Sequence, residues 1–225
     1  MNISNPIAAS IQAVIFDCDG TLVDSETSGM TALHGEATKL GFSVPLAQAL
    51  HDFRGKRMAV CIALVEANIG QPAPENFETT VRQAMADSFR SGVVAMPGAL
   101  ELLDLLRQAG IPYAIASNGP QAKMQLTLGL TGLQPFFAQH VFSAYDIGHW
   151  KPAPELFLQA AKALGVAPEN CAVVEDSLPG IEAGLAAGMT VFSMCHTETI
   201  PEHIASRVVQ IEGLGDLPLA LGLAV

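Results

Sequence analysis

Residues 17 to 25 read DCDGTLVDS, and directly before them stands the apolar run Ala13-Val14-Ile15-Phe16. A continuous apolar run with branched residues is the pattern of a strand buried on both faces, and open parallel sheets place their ligands beyond the carboxyl ends of such strands. A strand over 12–16 therefore delivers Asp17 and Asp19 onto the loop where chemistry is expected. In extended geometry residues i and i+2 share a face, so the two carboxylates can converge on one small volume. Like charges that close require a cation, a shared proton or separate tasks.

Outward from this stretch the pattern changes from strand to helix. Met30, Leu33, His34, Ala37 and Leu40 mark one helical face ended by Gly41; Met58, Cys61, Ile62 and Val65 mark a second, and Val81, Met85, Ser88 and Phe89 a third. Strand patterns are lacking over 25–91, so a helical insertion is expected there. Alternation resumes at Met96-Pro97-Gly98, with a helix over 99–108 ended by Gly110 and a strand over 111–116. A helix from about 121, strand 140–143, helix 154–164, strand 171–174, helix 178–187 and strand 190–194 complete the series. Strands separated by helices of this length imply right-handed crossovers and a doubly wound parallel α/β sheet. The expected organisation is a core of residues 1–24 and 92–225 with an inserted helical domain over 25–91.

Composition restricts the partners. With 225 residues, half of them apolar, the chain can bury one sizeable core and carry a small second unit. A net charge of −11, with 11 Lys and Arg spread along the chain, argues against nucleic acid or an anionic membrane as partner. Cys18, Cys61, Cys171 and Cys195 form no metal-ligand spacing and are expected to be free thiols of a cytoplasmic protein. Residues 1–11 lack the pattern of a secretion signal, and no apolar stretch approaches the roughly 18 residues of a membrane helix. Nothing in the pattern demands a partner surface, so a monomer is expected.

The nonapeptide resembles the first motif, DxDGT, of the haloacid dehalogenase superfamily of phosphohydrolases. Three further motifs of that superfamily follow in order: Ser117-Asn118 after the apolar run at 112–116, Lys151 in WKPAPE, and Glu175-Asp176 after 171–174. Together they span 17–176. The resemblance implies a Rossmann-like core with a helical cap that closes over the site. It implies that Asp17 is the nucleophile forming an aspartyl phosphate and that Asp19 protonates the leaving oxygen and then deprotonates the attacking water. It further implies that Gly20, Ser117, Asn118 and Lys151 bind phosphate. A Mg²⁺ ion would be held by Asp17, the Asp19 carbonyl, Glu175 and Asp176. Two adjacent acids at the end of a buried strand agree with this, since they would repel without a cation and oxygen donors suit Mg²⁺. Ser177 can cap the helix that follows. Arg54, Gly55 and Lys56 fall where the subfamily carries its cap specificity loop.

The activity implied is that of a Mg²⁺-dependent phosphatase for a small phosphorylated metabolite. SNGPQAKMQ at 117–125 and FSAYDIGHWKPAPELF at 142–157 are similar to sugar-phosphate phosphatases of the 6-phosphogluconate phosphatase group. The alternatives are an isomerase of the β-phosphoglucomutase type, a phosphoglycolate phosphatase, and a binding protein that kept the fold without turnover. Thr21 and the SNGP sequence depart from the mutase pattern, and Asp17 and Asp19 are both retained.

Overall fold

The computed structural model describes residues 11–137, 139–195 and 199–223. The elements are β1 (Ala13–Phe16), β2 (Val23–Asp24), α1 (Glu26–Lys39), α2 (Leu46–Phe53), α3 (Met58–Ile69), α4 (Phe77–Gly92), β3 (Val94–Ala95), α5 (Ala99–Gln108), β4 (Tyr113–Ser117), α6 (Gln121–Leu130) and α7 (Gln134–Phe137). They continue with β5 (Val141–Ser143), α8 (Ala144–Ile147), α9 (Glu155–Leu164), β6 (Cys171–Glu175), α10 (Leu178–Ala186), β7 (Thr190–Ser193), α11 (Glu202–Ala205), β8 (Val209–Gln210) and α12 (Leu217–Ala220).

Six strands form one parallel sheet in the order β5-β4-β1-β6-β7-β8. The strand over 12–16 thus lies at the centre, with β4 on one side and β6 on the other. Its register pairs Phe16 with Ile115 and with Val174. All four residues of β1 and all five of β4 and β6 are buried, which is why these strands read as unbroken apolar runs.

Side chains alternate across the pleat, so Ala13 and Ile15 face one way and Val14 and Phe16 the other. Against the first face pack Leu156, Phe157, Ala160 and Ala161 of α9 and Ile181 and Ala183 of α10. The chain travels one way along the sheet through β1, β4 and β5 and returns through β6, β7 and β8. Right-handed crossovers then put α5 and α6 over the second face. This is the doubly wound arrangement, and β1 sits at its switch point, where the strand ends can part to admit a ligand.

The described chain divides into two compact units, one of residues up to Val23 and from Ala95 onward, the other Asp24–Val94. The second contains α1 to α4 around Leu33, Ala37, Phe42, Phe53, Val65 and Val81. Within it Gly29 lets α1 approach α4 closely: a Cβ there would stand 2.9 Å from Met85 Cε and 3.2 Å from Phe89 Cζ. Three of these helices coincide with the three apolar faces read from the sequence. The fourth, α2, is additional; it is only eight residues long and follows directly on Pro45. Edge strand β8 and the paired two-residue strands β2 and β3 also escaped the sequence reading, being too short for period-two alternation. Among the described residues no helix is long and apolar enough to cross a membrane. All four cysteines are free thiols.

Two helical glycines give opposite expectations for the same substitution. Gly35, exposed on α1, faces open space, whereas a Cβ on Gly184 of α10 would lie 2.8 Å from Val191 Cγ2 and 3.3 Å from Val173 Cγ1. Gly35→Ala should stabilise by about 0.5–1 kcal/mol through lost chain entropy. Gly184→Ala should destabilise by about 1–3 kcal/mol through overpacking against β6 and β7. Urea denaturation of the two variants checks both signs.

Candidate active site

The β1–β6 register decides which charged groups meet. Phe16 pairs with Val174, and the Asp17 amide donates to the Val174 carbonyl at 3.0 Å, so Asp17 and Glu175 emerge side by side from adjacent strands. Both are buried, and between them lies the buried Lys151 ammonium, 2.5 Å from Asp17 Oδ1 and 2.5 Å from Glu175 Oε1. The same ammonium stands 4.8 Å from the centre of the Phe157 ring, whose face adds a cation–π contact. The other oxygen of Glu175 accepts from the amides of Asp176 and Ser177, at 3.1 and 3.0 Å, and from Ser177 Oγ at 2.8 Å. Ser177 Oγ in turn accepts from the Gly180 amide at 3.3 Å, capping α10 as its place in the sequence suggested.

Burial pushes the Asp17 carboxyl up to about 7; Lys151 works against this rise, while Glu175 and Asp19 add to it. Burial also disfavours the Lys151 ammonium, yet the Asp17 and Glu175 carboxylates outweigh it and raise its pKa above the ordinary lysine value. The lysine therefore stays charged, and Asp17 is the member of the cluster drawn toward its protonated form.

The second motif positions this lysine from β4. Asn118 Oδ1 accepts the Lys151 backbone N–H at 2.9 Å, and Asn118 Nδ2 reaches the Lys151 carbonyl at 3.5 Å. Its side chain thus engages the Lys151 main chain at the end of β4. Ser117, at the end of β4, accepts the Gly119 amide on Oγ at 3.0 Å, a turn that bends the chain toward α6. Ser143 Oγ fastens the same turn by donating to the Gly119 carbonyl at 2.7 Å.

Asp19 takes a different partner. Its Oδ1 lies 2.8 Å from the ammonium of Lys123, in the first turn of α6, and both side chains are largely shielded. Burial presses against the Lys123 charge, but Asp19 outweighs it and the lysine pKa is raised. Lys123 was missing from the sequence reading. The available signal was a cation in a helical first turn with no acidic residue, where the macrodipole disfavours it. Asp176, after β6, accepts from Thr21 Oγ1 at 3.3 Å. Gly20 lies against it: with φ of +83° and a Cβ that would stand 2.1 Å from Asp176 Oδ2, this position takes glycine for both conformation and space.

Among the described residues, no three acidic, histidine or cysteine side chains already converge as ligands around a metal position. Arg54, Gly55 and Lys56 belong to the helical unit, in the exposed turn between α2 and α3. There Arg54 Nε, on an exposed side chain, pairs with the largely shielded Glu26 Oε2 at 3.1 Å.

The model of the haloacid dehalogenase-like hydrolase family matches residues 11–188. This chain belongs to that family. As a haloacid dehalogenase-like hydrolase it is 36% identical over 209 residues to a 6-phosphogluconate phosphatase of Escherichia coli (strain K12), a match covering 92% of this chain and 93% of that protein. It is 34% identical over 181 residues to hexitol phosphatase A of the same organism, covering 80% and 81%. Its fold also superimposes on a haloacid dehalogenase family hydrolase of Deinococcus radiodurans R1, solved with bound phosphate and sodium. That match has a TM-score of 0.76 at 31% identity and covers 95% of this chain and 96% of the other.

The raised Asp17 pKa has a consequence for stability. An unfolded aspartate titrates near about 4, so between there and about 7 the folded state of this hydrolase holds a proton that the unfolded state has lost. A folded-state pKa above the unfolded one contributes stability below the unfolded value and loses it as pH rises through the folded value. In EDTA, the Asp17→Asn variant should therefore gain stability relative to the unsubstituted protein as pH rises from about 4 to about 7, as followed by urea denaturation at several pH values.

Proposed function

We propose that this hydrolase is a phosphoric monoester hydrolase for a small phosphorylated sugar or sugar acid, with 6-phosphogluconate the first substrate to test. The observation that carries the reading is the division of labour between two neighbouring aspartates: Asp17 is held on the buried Lys151, Asp19 on Lys123. In this reading Asp17 serves covalent chemistry and Asp19 proton transfer. The names of the relatives support the substrate class.

In the first step an Asp17 carboxylate oxygen attacks phosphorus, the bond to the leaving oxygen breaks, and Asp19 gives that oxygen its proton. In the second, water attacks phosphorus while Asp19 takes its proton back, and the bond between Asp17 and phosphorus breaks to release inorganic phosphate. Lys151 offsets negative charge on the phosphoryl group and Asp17. Asn118 holds Lys151 by its main chain, and Ser117 with the amide of Thr21 would line the phosphoryl oxygens, while the Gly20 amide donates to the Val23 carbonyl at 2.8 Å and closes the turn.

A divalent cation, Mg²⁺, suits the site. Four acidic side chains gather here: Asp17 and Glu175 on the Lys151 ammonium, Asp19 on that of Lys123, and Asp176 on the Thr21 hydroxyl. The donors are all oxygen. Asp17, Asp176 and the Asp19 carbonyl would hold the ion. Both Glu175 oxygens already take protein donors, so its part is to orient Asp176 and Lys151. When bound, the ion neutralises phosphoryl oxygens and holds them for in-line displacement. Arg54, Gly55 and Lys56 would contribute to substrate choice, with the helical unit acting as a cap. The protein would act as a cytoplasmic monomer.

Phosphate release from 6-phosphogluconate, hexose and polyol phosphates, phosphoglycolate and β-glucose 1-phosphate, with Mg²⁺ or with EDTA, tests the reading. Release is expected for sugar or sugar-acid phosphates, lost in EDTA and reduced by at least about 10³-fold in Asp17→Asn. Conversion of β-glucose 1-phosphate to glucose 6-phosphate without release would establish the mutase instead. Release from phosphoglycolate alone would move the substrate class.

A further inference from the structure

Asp19 follows Asp17 by two residues and could turn to the same cation, yet the two are drawn to different lysines. Lys151 occupies the space between Asp17 and Glu175, and Asp19 pairs at 2.8 Å with Lys123, 104 positions away in the chain and on a separate helix. With relative exposures of 21% for Lys123 and 19% for Asp19, the pair is shielded, unlike the exposed i,i+3 and i,i+4 ion pairs elsewhere on the molecule. Gly119 shapes the seat from below. A Cβ on it would lie 3.3 Å from Asp19 Oδ2, 3.3 Å from Ser117 Oγ and 3.8 Å from Lys123 Cδ. One oxygen of Asp19 is thus fixed by charge and the other bounded by the turn after β4.

We propose that Lys123 is a positioning residue for Asp19: it holds this carboxyl group apart from the Lys151 cluster, oriented for proton exchange with the leaving oxygen. The inference rests on the reading of Asp19 as the proton donor. Lys123 forms no bond in the reaction and gives up no proton. Its removal would free Asp19 to rotate toward Lys151 and the phosphoryl site, where it would be misplaced for the leaving group and would add negative charge beside Asp17.

A leaving-group comparison isolates this effect. A sugar alkoxide needs a proton to depart, whereas p-nitrophenolate departs with little help, and kcat/KM reports steps up to the first irreversible one. For the full-length enzyme with Mg²⁺, Lys123→Met should lower kcat/KM by about 100-fold with the best sugar phosphate of the panel and by under about 10-fold with p-nitrophenyl phosphate. KM should change little, and Lys123→Arg, which keeps the charge, should recover most of the loss. Equal losses with both substrates would overturn the proposal, since they would mean that Lys123 binds the phosphoryl group or supports the fold. So would an Arg variant as selectively impaired as the Met variant, which keeps the test decisive should Lys123→Met fail to fold. Full activity in Lys123→Met would overturn this inference alone, whereas no release by the unsubstituted enzyme from any substrate would overturn the hydrolase reading and this one with it.

Discussion

One ammonium group holds the site together. Parallel pairing of β1 with β6 brings Asp17 and Glu175 into adjacent register, and two buried carboxylates so placed are untenable without a cation between them. Lys151 supplies it from the loop between α8 and α9, and Asn118 at the end of β4 grips the main chain of that lysine. The ends of the three central strands are therefore tied through a single residue. Removing one partner from a buried ion cluster typically costs about 3–5 kcal/mol, so the arrangement specifies geometry as strongly as it supports folding.

The same cluster explains why an acidic protein can receive an anion. The net charge of −11 is a property of the whole surface, whereas a phosphoryl group responds to the nearest fixed charges and to bound metal. Near the ends of β1 and β6 the Lys151 and Lys123 ammonium groups stand against the carboxyl groups of Asp17, Glu175 and Asp19, and the upward pressure on Asp17 comes first from burial, with Glu175 and Asp19 adding to it against Lys151.

The central strands were legible because they are buried on both faces and carry no alternation to confuse with a helix; β1, β4, β6 and β7 fall within a residue or two of their expected limits. Legibility failed where elements are too short to show a period, as in β8 and α2. In the site, aspartates that follow apolar strands announced themselves. Lys151 and Asn118 did so only through the resemblance, because what makes them special is a contact across 33 positions and a cation shared by two strands. Lys123 was missed for the same reason: its partner is distant in sequence, and a lysine in a helix is ordinarily unremarked. Its place in a first turn, against the helix dipole, was the one local sign.

Three glycines complete the argument, because each lies against a different carboxylate. Gly20 abuts Asp176, Gly119 abuts Asp19, and Gly180 abuts Glu175, where a Cβ would fall 1.8 Å from Oε1. Only Gly20 also needs its positive φ; the other two have backbones that any residue could adopt, so what they supply is room. A carboxylate packed against bare backbone cannot rotate freely, and its orientation is then set by the donor on its open side: Thr21 for Asp176, Lys123 for Asp19, Lys151 and Ser177 for Glu175. Orientation of acids by paired glycines and donors is what lets like charges share one strand end with separate tasks. It also means that the chemistry of this site is written as much in residues without side chains as in the aspartates themselves.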